Sequence, residues 1–222
     1  MTEVRVNFGS GQTGLPSWIN VDIGTKYVAY KFLPLFRILS KFRLVSPEIV
    51  SWIEDSGKPP SNWKKWNIVE GTPLDDNSVD YVYCSEVIEH FPKYQARRIV
   101  KEAFRVLKRG GIFRLTTPDI HAICSGYLSG QLDTDFFNSF FFWTNQNERP
   151  KLLERFGARI YNTNPHVYLY DYESLKKLLE EEGFCKVSRF EALKGITPDL
   201  EFLEGTTGAH RKFSMYVECM KE

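Results

Sequence analysis

No stretch of this 222-residue sequence approaches the roughly 18 uninterrupted apolar residues that a membrane-crossing helix needs, so none is expected. Cysteine is scarce. The four present, Cys84, Cys124, Cys185 and Cys219, are widely spaced and form no Cys-x-x-Cys pair, which fits reduced thiols inside a cell. Cys84 and Cys219 lie in apolar runs and are expected in the core. Net charge is nearly absent as well: 29 Lys and Arg against 28 Asp and Glu give +1, so no overall field recruits nucleic acid, although a local basic patch stays open. There is no internal repeat and no low-complexity tract. Met1-Thr2-Glu3-Val4-Arg5 leads directly into an alternating apolar run and leaves no space for a signal peptide, so a cytoplasmic protein is expected.

Aromatic residues, by contrast, are abundant. With 17 Phe, 11 Tyr and 5 Trp, and 42% hydrophobic residues in all, the chain can build a large packed core. Its length suits one α/β domain over residues 1–222, carrying an insertion.

The run Val4-Arg5-Val6-Asn7-Phe8 stops at Gly9-Ser10-Gly11, and a second short apolar run, Trp18-Ile19-Asn20-Val21-Asp22, follows. The pattern predicts two adjacent parallel strands whose carboxyl ends form a crevice, with glycines where backbone must approach a ligand. Asp22, closing the second strand, can accept hydrogen bonds from a ribose diol. Gly9, Gly11 and Gly14 spell Gly-x-Gly-x-x-Gly, but only Leu15-Pro16-Ser17 separates Gly14 from the next strand. No crossover helix fits there to face a pyrophosphate, and Asp22 comes too early for a dinucleotide site. The spacing suits a nucleoside-bearing cofactor without phosphates.

Farther along, Val79 to Cys84 reads as a buried strand followed by Ser85-Glu86-Val87-Ile88-Glu89-His90-Phe91 at its carboxyl end. A helix is predicted over Lys93–Leu107, ended by Arg109-Gly110-Gly111, and then a strand over Ile112–Asp119. Tyr172–Glu182 reads as a helix with Gly183 after it, and Cys185–Glu191 and Phe213–Met220 as closing strands.

Asn7-Phe8-Gly9-Ser10-Gly11 with Ser17-Trp18-Ile19-Asn20-Val21-Asp22 resembles the first two motifs of the class I S-adenosylmethionine-dependent methyltransferases, in a compact type-11-like branch with a Leu-Asn-x-Gly-x-Gly loop. Asn67 to Asp80, Ser85 to Phe91 and Glu102 to Ile112 resemble later motifs of the same family, in order, with Asn67 where an aspartate is usual and Arg109 where a proline is. The resemblance covers residues 4–23, 66–119, 166–185 and 211–221. It implies a Rossmann-like fold, a seven-stranded, mostly parallel sheet with one antiparallel strand and helices on both faces. It further implies S-adenosylmethionine as cofactor, with S-adenosylhomocysteine as product, held by Asn7, Phe8, Gly9, Ser10, Gly11, Asp22, Ile23, Asn67, Ile68, Ser85 and Glu86. Glu70 rivals Asn67 for the adenine.

The implied reaction is methyl transfer to oxygen or nitrogen of a small-molecule or saccharide acceptor, and a hydroxyl acceptor needs a base. His90 and His166 are the candidates, since an imidazole titrates near pH ~6.5, with Asp119 third. No metal-ligand spacing is evident. The alternative is a non-catalytic module that keeps the fold and acts by binding, at a membrane or in a complex. Oligomeric state is not legible.

Two segments fall outside the resemblance. Residues 25–66 form a basic, aromatic insert in which Lys26, Lys31, Arg37, Lys41 and Arg43 precede any acidic residue. A helix starting at Pro34 with Leu35, Ile38, Leu39 and Phe42 on one stripe is predicted, then a second from Ser46-Pro47. In the plainer reading the stripe packs on the sheet under solvated cations. In the sharper one, the 26–45 segment is a lid or a peripheral membrane contact. Residues 120–165, rich in Phe, complete a canopy over the crevice.

Overall fold

The computed structural model describes residues 3–11, 14–24, 29–56, 60, 62–142, 166–205 and 212–222. Seven strands form one sheet: β1 (Arg5–Phe8), β2 (Ile19–Val21), β3 (Trp63–Lys64), β4 (Val79–Ser85), β5 (Leu107–Pro118), β6 (Phe184–Phe190) and β7 (Ser214–Lys221). Their order is β3-β2-β1-β4-β5-β7-β6. Every pairing from β3 to β5 is parallel, while β7 runs antiparallel to both β5 and β6. The order therefore reverses between β1 and β4, the place where such sheets open a crevice at the strands' carboxyl ends.

Seven α-helices are described: α1 (Leu33–Lys41), α2 (Pro47–Ser56), α3 (Lys93–Val106), α4 (Ile120–Leu128), α5 (Thr134–Phe142), α6 (Tyr172–Glu181) and α7 (Leu200–Leu203). On α3, Ala96, Ile99, Val100, Ala103 and Val106 recur at helical spacing and join Val6, Phe8, Val82 and Leu115 of the sheet in the main core. Cys84 and Cys219 are buried in the same core, and all four cysteines are free thiols.

The helix α3 ends earlier than the glycines predict. Leu107 already pairs with Val79, residues 108–111 bulge out, and pairing resumes at Ile112 with Tyr81. The Arg109-Gly110-Gly111 turn thus lies inside β5 rather than after the helix. Lys221 of β7 caps α3, its Nζ donating to the Phe104 and Arg105 carbonyls at 2.6 and 3.3 Å, which places a cation at the negative end of the helix.

The insert departs from the plainer expectation. Leu33 and Phe36 of α1 pack with Val50 and Ile53 of α2 in a small cluster of their own. Leu35, Ile38 and Phe42, expected to face the sheet, are exposed. The two helices form a hairpin joined by an Arg37–Glu54 ion pair at 2.7 Å. Residues 143–165 of the expected canopy, including Trp143, lie outside the described residues, as do Lys26 and Tyr27.

Candidate cofactor crevice and its acceptor side

Val6 to Phe8 and Ile19 to Val21 pair in parallel, so the loop after β1 and the residue after β2 leave the sheet at the same edge. The loop is pinned there, because the Gly9 and Ser10 amides both donate to the Val21 carbonyl, at 2.8 and 3.1 Å. Gly9 has φ +69°, and a Cβ on it would collide with Val87 Cγ2, so the close packing of this loop on the segment after β4 requires glycine. Gly11 also has positive φ, at +42°, and among the described residues the Gly9 carbonyl is the atom near its missing Cβ, at 3.9 Å.

Asp22 closes this turn. Its Oδ2 accepts from the Gly11 amide at 3.0 Å and its Oδ1 from the Gly24 amide at 2.7 Å. A carboxylate offers about four acceptor positions, so two remain for a ligand's hydroxyls. Ile23 beside it is exposed and presents an apolar face at the rim.

The other predicted cofactor residues divide by burial. Asn7, Phe8 and Ser10 are buried within or directly after β1, and Phe8 points into the main core, so its contribution to a ligand is backbone alone. Ile68 is likewise a core residue. Asn67 turns the chain: its Oδ1 accepts from the Val69 amide at 3.1 Å and its carbonyl from the Glu70 and Gly71 amides. Its amide hydrogens face no such duty among these bonds. Glu70, the rival, is exposed.

Beside β1, β4 ends at Ser85, whose hydroxyl meets that of Thr116 on β5 at 2.5 Å. Glu86 follows in a left-handed conformation, φ +53°, which a non-glycine residue adopts at a cost. Its amide donates to the Thr116 carbonyl at 3.0 Å. Glu89 is fully buried and Glu86 half-buried. Burial, and then the charge of Glu86, push Glu89 well above the usual carboxylate range, and burial raises Glu86 too. Glu89 Oε2 accepts from the Thr117 hydroxyl at 3.2 Å, and its Oε1 lies 3.9 Å from His90 Nε2. The Glu89 carbonyl accepts from the Val167 and Tyr168 amides at 2.7 and 3.0 Å, which brings His166 to the crevice from far along the chain.

The result is a pair of imidazoles with ring centroids 5.0 Å apart. The ligand atoms of Glu89, His90 and His166 all lie within 4.8 Å of one another, the sole such group among the described residues that could gather a metal ion. Sequence spacing did not disclose it, because His166 is remote in the chain. Asp119 does other work. Its Oδ1 caps α4 through the His121 amide at 3.0 Å and its Oδ2 pairs with Arg189 at 2.7 Å, so both oxygens hold structure.

Residues 45–115 match the family model described as Methyltransferase domain. Over that stretch, about a third of its length, the chain is similar to a methyltransferase domain. Over 47 residues, 21% of its length, it is 47% identical to a Mycolicibacterium smegmatis protein named Probable S-adenosylmethionine-dependent methyltransferase, and the match spans 18% of that protein. Solved structures that align with this chain include an S-adenosylmethionine-dependent methyltransferase from Thermotoga maritima, at 17% identity, TM-score 0.46, covering all of this chain and 84% of that one. Another is from Archaeoglobus fulgidus, at 13% identity, TM-score 0.47, covering 99% and 86%. Human N-acetylserotonin methyltransferase, solved with S-adenosylmethionine, aligns at 13% identity and TM-score 0.47 over 98% of this chain and 47% of that one. The stretch matched by the family model contains β4, α3 and the Glu86–Glu89–His90 segment, while β1, the glycine loop and Asp22 precede it.

Proposed function

We propose that this chain transfers a methyl group from S-adenosylmethionine to an oxygen or nitrogen of a small-molecule or saccharide acceptor. The observation that carries the reading is the Gly9–Gly11 turn, closed by the Asp22 carboxylate at the carboxyl ends of two adjacent parallel strands. It fits a cofactor with a ribose and no phosphates: the loop offers an open glycine and two spare acceptor positions, and no full-length helix N-terminus faces it among the described residues. When bound, the cofactor supplies an already activated methyl group on a sulfonium sulfur.

What remains for the protein is alignment and, for a hydroxyl acceptor, removal of a proton. His90 is the base in this reading. Glu89, whose carboxyl burial pushes well above the usual carboxylate range, lies beside it with Oε1 3.9 Å from His90 Nε2. His166, its ring tilted by 35° with its centroid 5.0 Å away, orients the His90 ring and lines the acceptor side in this reading.

Titration calorimetry with S-adenosylmethionine and S-adenosylhomocysteine tests the reading. Micromolar binding of both is expected, followed by turnover when hydroxylated metabolites and sugars are supplied. Absence of heat with either compound would overturn it and leave the non-catalytic module.

A further inference from the structure

The insert helix α1 turns its apolar side to solvent. Phe32, Leu35, Ile38 and Phe42 are 54%, 51%, 51% and 72% exposed, and Leu44 just beyond is exposed as well. At 3.6 residues per turn, Leu35, Ile38 and Phe42 with Phe32 before them span an arc of roughly 120°. Scattered exposed apolar residues are ordinary on a protein surface, but a continuous arc on one helix is an interaction face.

The opposite arc accounts for the helix's place in the fold. Leu33 and Phe36 reach down to Val50 and Ile53 of α2, which anchors that side of α1. Packing of the outer arc on the sheet is excluded by its exposure.

Charge identifies the occupant. From residue 29 to residue 46 the chain has four cations, Lys31, Arg37, Lys41 and Arg43, and no Asp or Glu, in a protein whose net charge is only +1. All four are exposed, and of these Arg37 pairs with Glu54 on α2. An apolar arc flanked by cations suits a helix that lies in the plane of a bilayer, with its apolar side among the acyl chains and its cations against anionic headgroups. A second copy of the same face would instead bring like charges together.

We propose that α1 docks this protein on anionic phospholipid bilayers, reversibly and without crossing them; among the described residues no helix is long and apolar enough to cross a membrane. In the chain the hairpin comes after β2 and Asp22. Docking needs no catalysis and is measured apart from it.

Cosedimentation decides the matter, using vesicles of phosphatidylcholine alone and of phosphatidylcholine mixed equally with phosphatidylglycerol. Wild type is expected to pellet with the mixed vesicles, much less with the neutral ones, and to be released by high salt. Ile38→Glu and Phe42→Glu are expected to abolish pelleting without lowering the melting temperature, because both side chains are exposed. Lys41→Glu should weaken it about fivefold or more. Failure of wild type to bind mixed vesicles, equal binding to both compositions, or unchanged binding of Phe42→Glu would each overturn the proposal. So would a homodimer in light scattering that Phe42→Glu dissolves, since the face would then belong to a second copy.

Discussion

Asp22 holds the glycine loop and offers acceptors to a ligand at once, so its loss has two costs. Asp22→Ala is expected to weaken S-adenosylmethionine binding by about 1–3 kcal/mol, the range for hydrogen bonds to a charged group, and to loosen the turn at Gly11. Unchanged affinity in calorimetry would remove Asp22 from the site. Glu89 is a carboxyl of the opposite kind, fully buried and raised well above the usual carboxylate range. Because its folded carboxyl sits well above the value near 4.5 of a free glutamate, the native state binds the extra proton. That contribution is complete below pH 4.5 and is lost as pH rises through the raised value. Melting temperature should therefore fall with rising pH more steeply in wild type than in Glu89→Gln, and parallel curves would show that Glu89 does not hold a proton. His90→Ala should lower turnover far more than cofactor affinity, and equal turnover would exclude His90 as base.

Arg105 of α3 shows how an element is tied to a loop. Its guanidinium binds both oxygens of Glu102 at 2.8 and 2.9 Å, Asp76 Oδ1 at 2.5 Å and the Leu74 and Thr72 carbonyls, while Glu102 accepts from the Thr72 amide and hydroxyl. This explains the Glu-x-x-Arg pattern in physical terms: the pair clamps residues 72–76 against the helix. Arg105→Ala is expected to cost about 1–3 kcal/mol in urea denaturation, by leaving buried Glu102 short of its donors. Lysine should not restore it, since one ammonium cannot match the planar fork. Such local patterns were readable in advance, as were the strands around Gly9, Asp22 and Cys84, because period and punctuation act over a few residues. The outward face of α1 was not. Periodicity reveals that a helix has an apolar side, and says nothing of whether that side meets the sheet, a neighbouring hairpin or solvent. The start of β5 was hidden for a similar reason, since the 108–111 bulge is stabilised by Val79 and Tyr81 on another strand.

Across the whole molecule the least legible feature is a buried cation. Arg114, wholly buried on β5, pairs with Glu204 at 2.8 Å and lies 3.7 Å from Glu218, with a further bond to the Lys194 carbonyl. Burial pushes the Glu204 carboxyl up against the pull of Arg114. Glu204 is 90 positions away in sequence, so no local pattern announces the pair. Arg114→Met should cost about 3–5 kcal/mol by stranding buried carboxylates, and adding Glu204→Gln should recover part of the loss. Chemical denaturation of the single and double variants measures the coupling, and additive losses would show that the two do not interact. The mostly parallel sheet with its one antiparallel strand, by contrast, followed from motifs taken in sequence order. That arrangement imposes a schedule on synthesis. A ribosome completes β6 at Phe190, well ahead of β7, the only strand that joins it to the sheet and which begins at Ser214. Until residues 214–221 emerge, β5 presents an unpaired edge, a template for a neighbouring nascent chain to pair with.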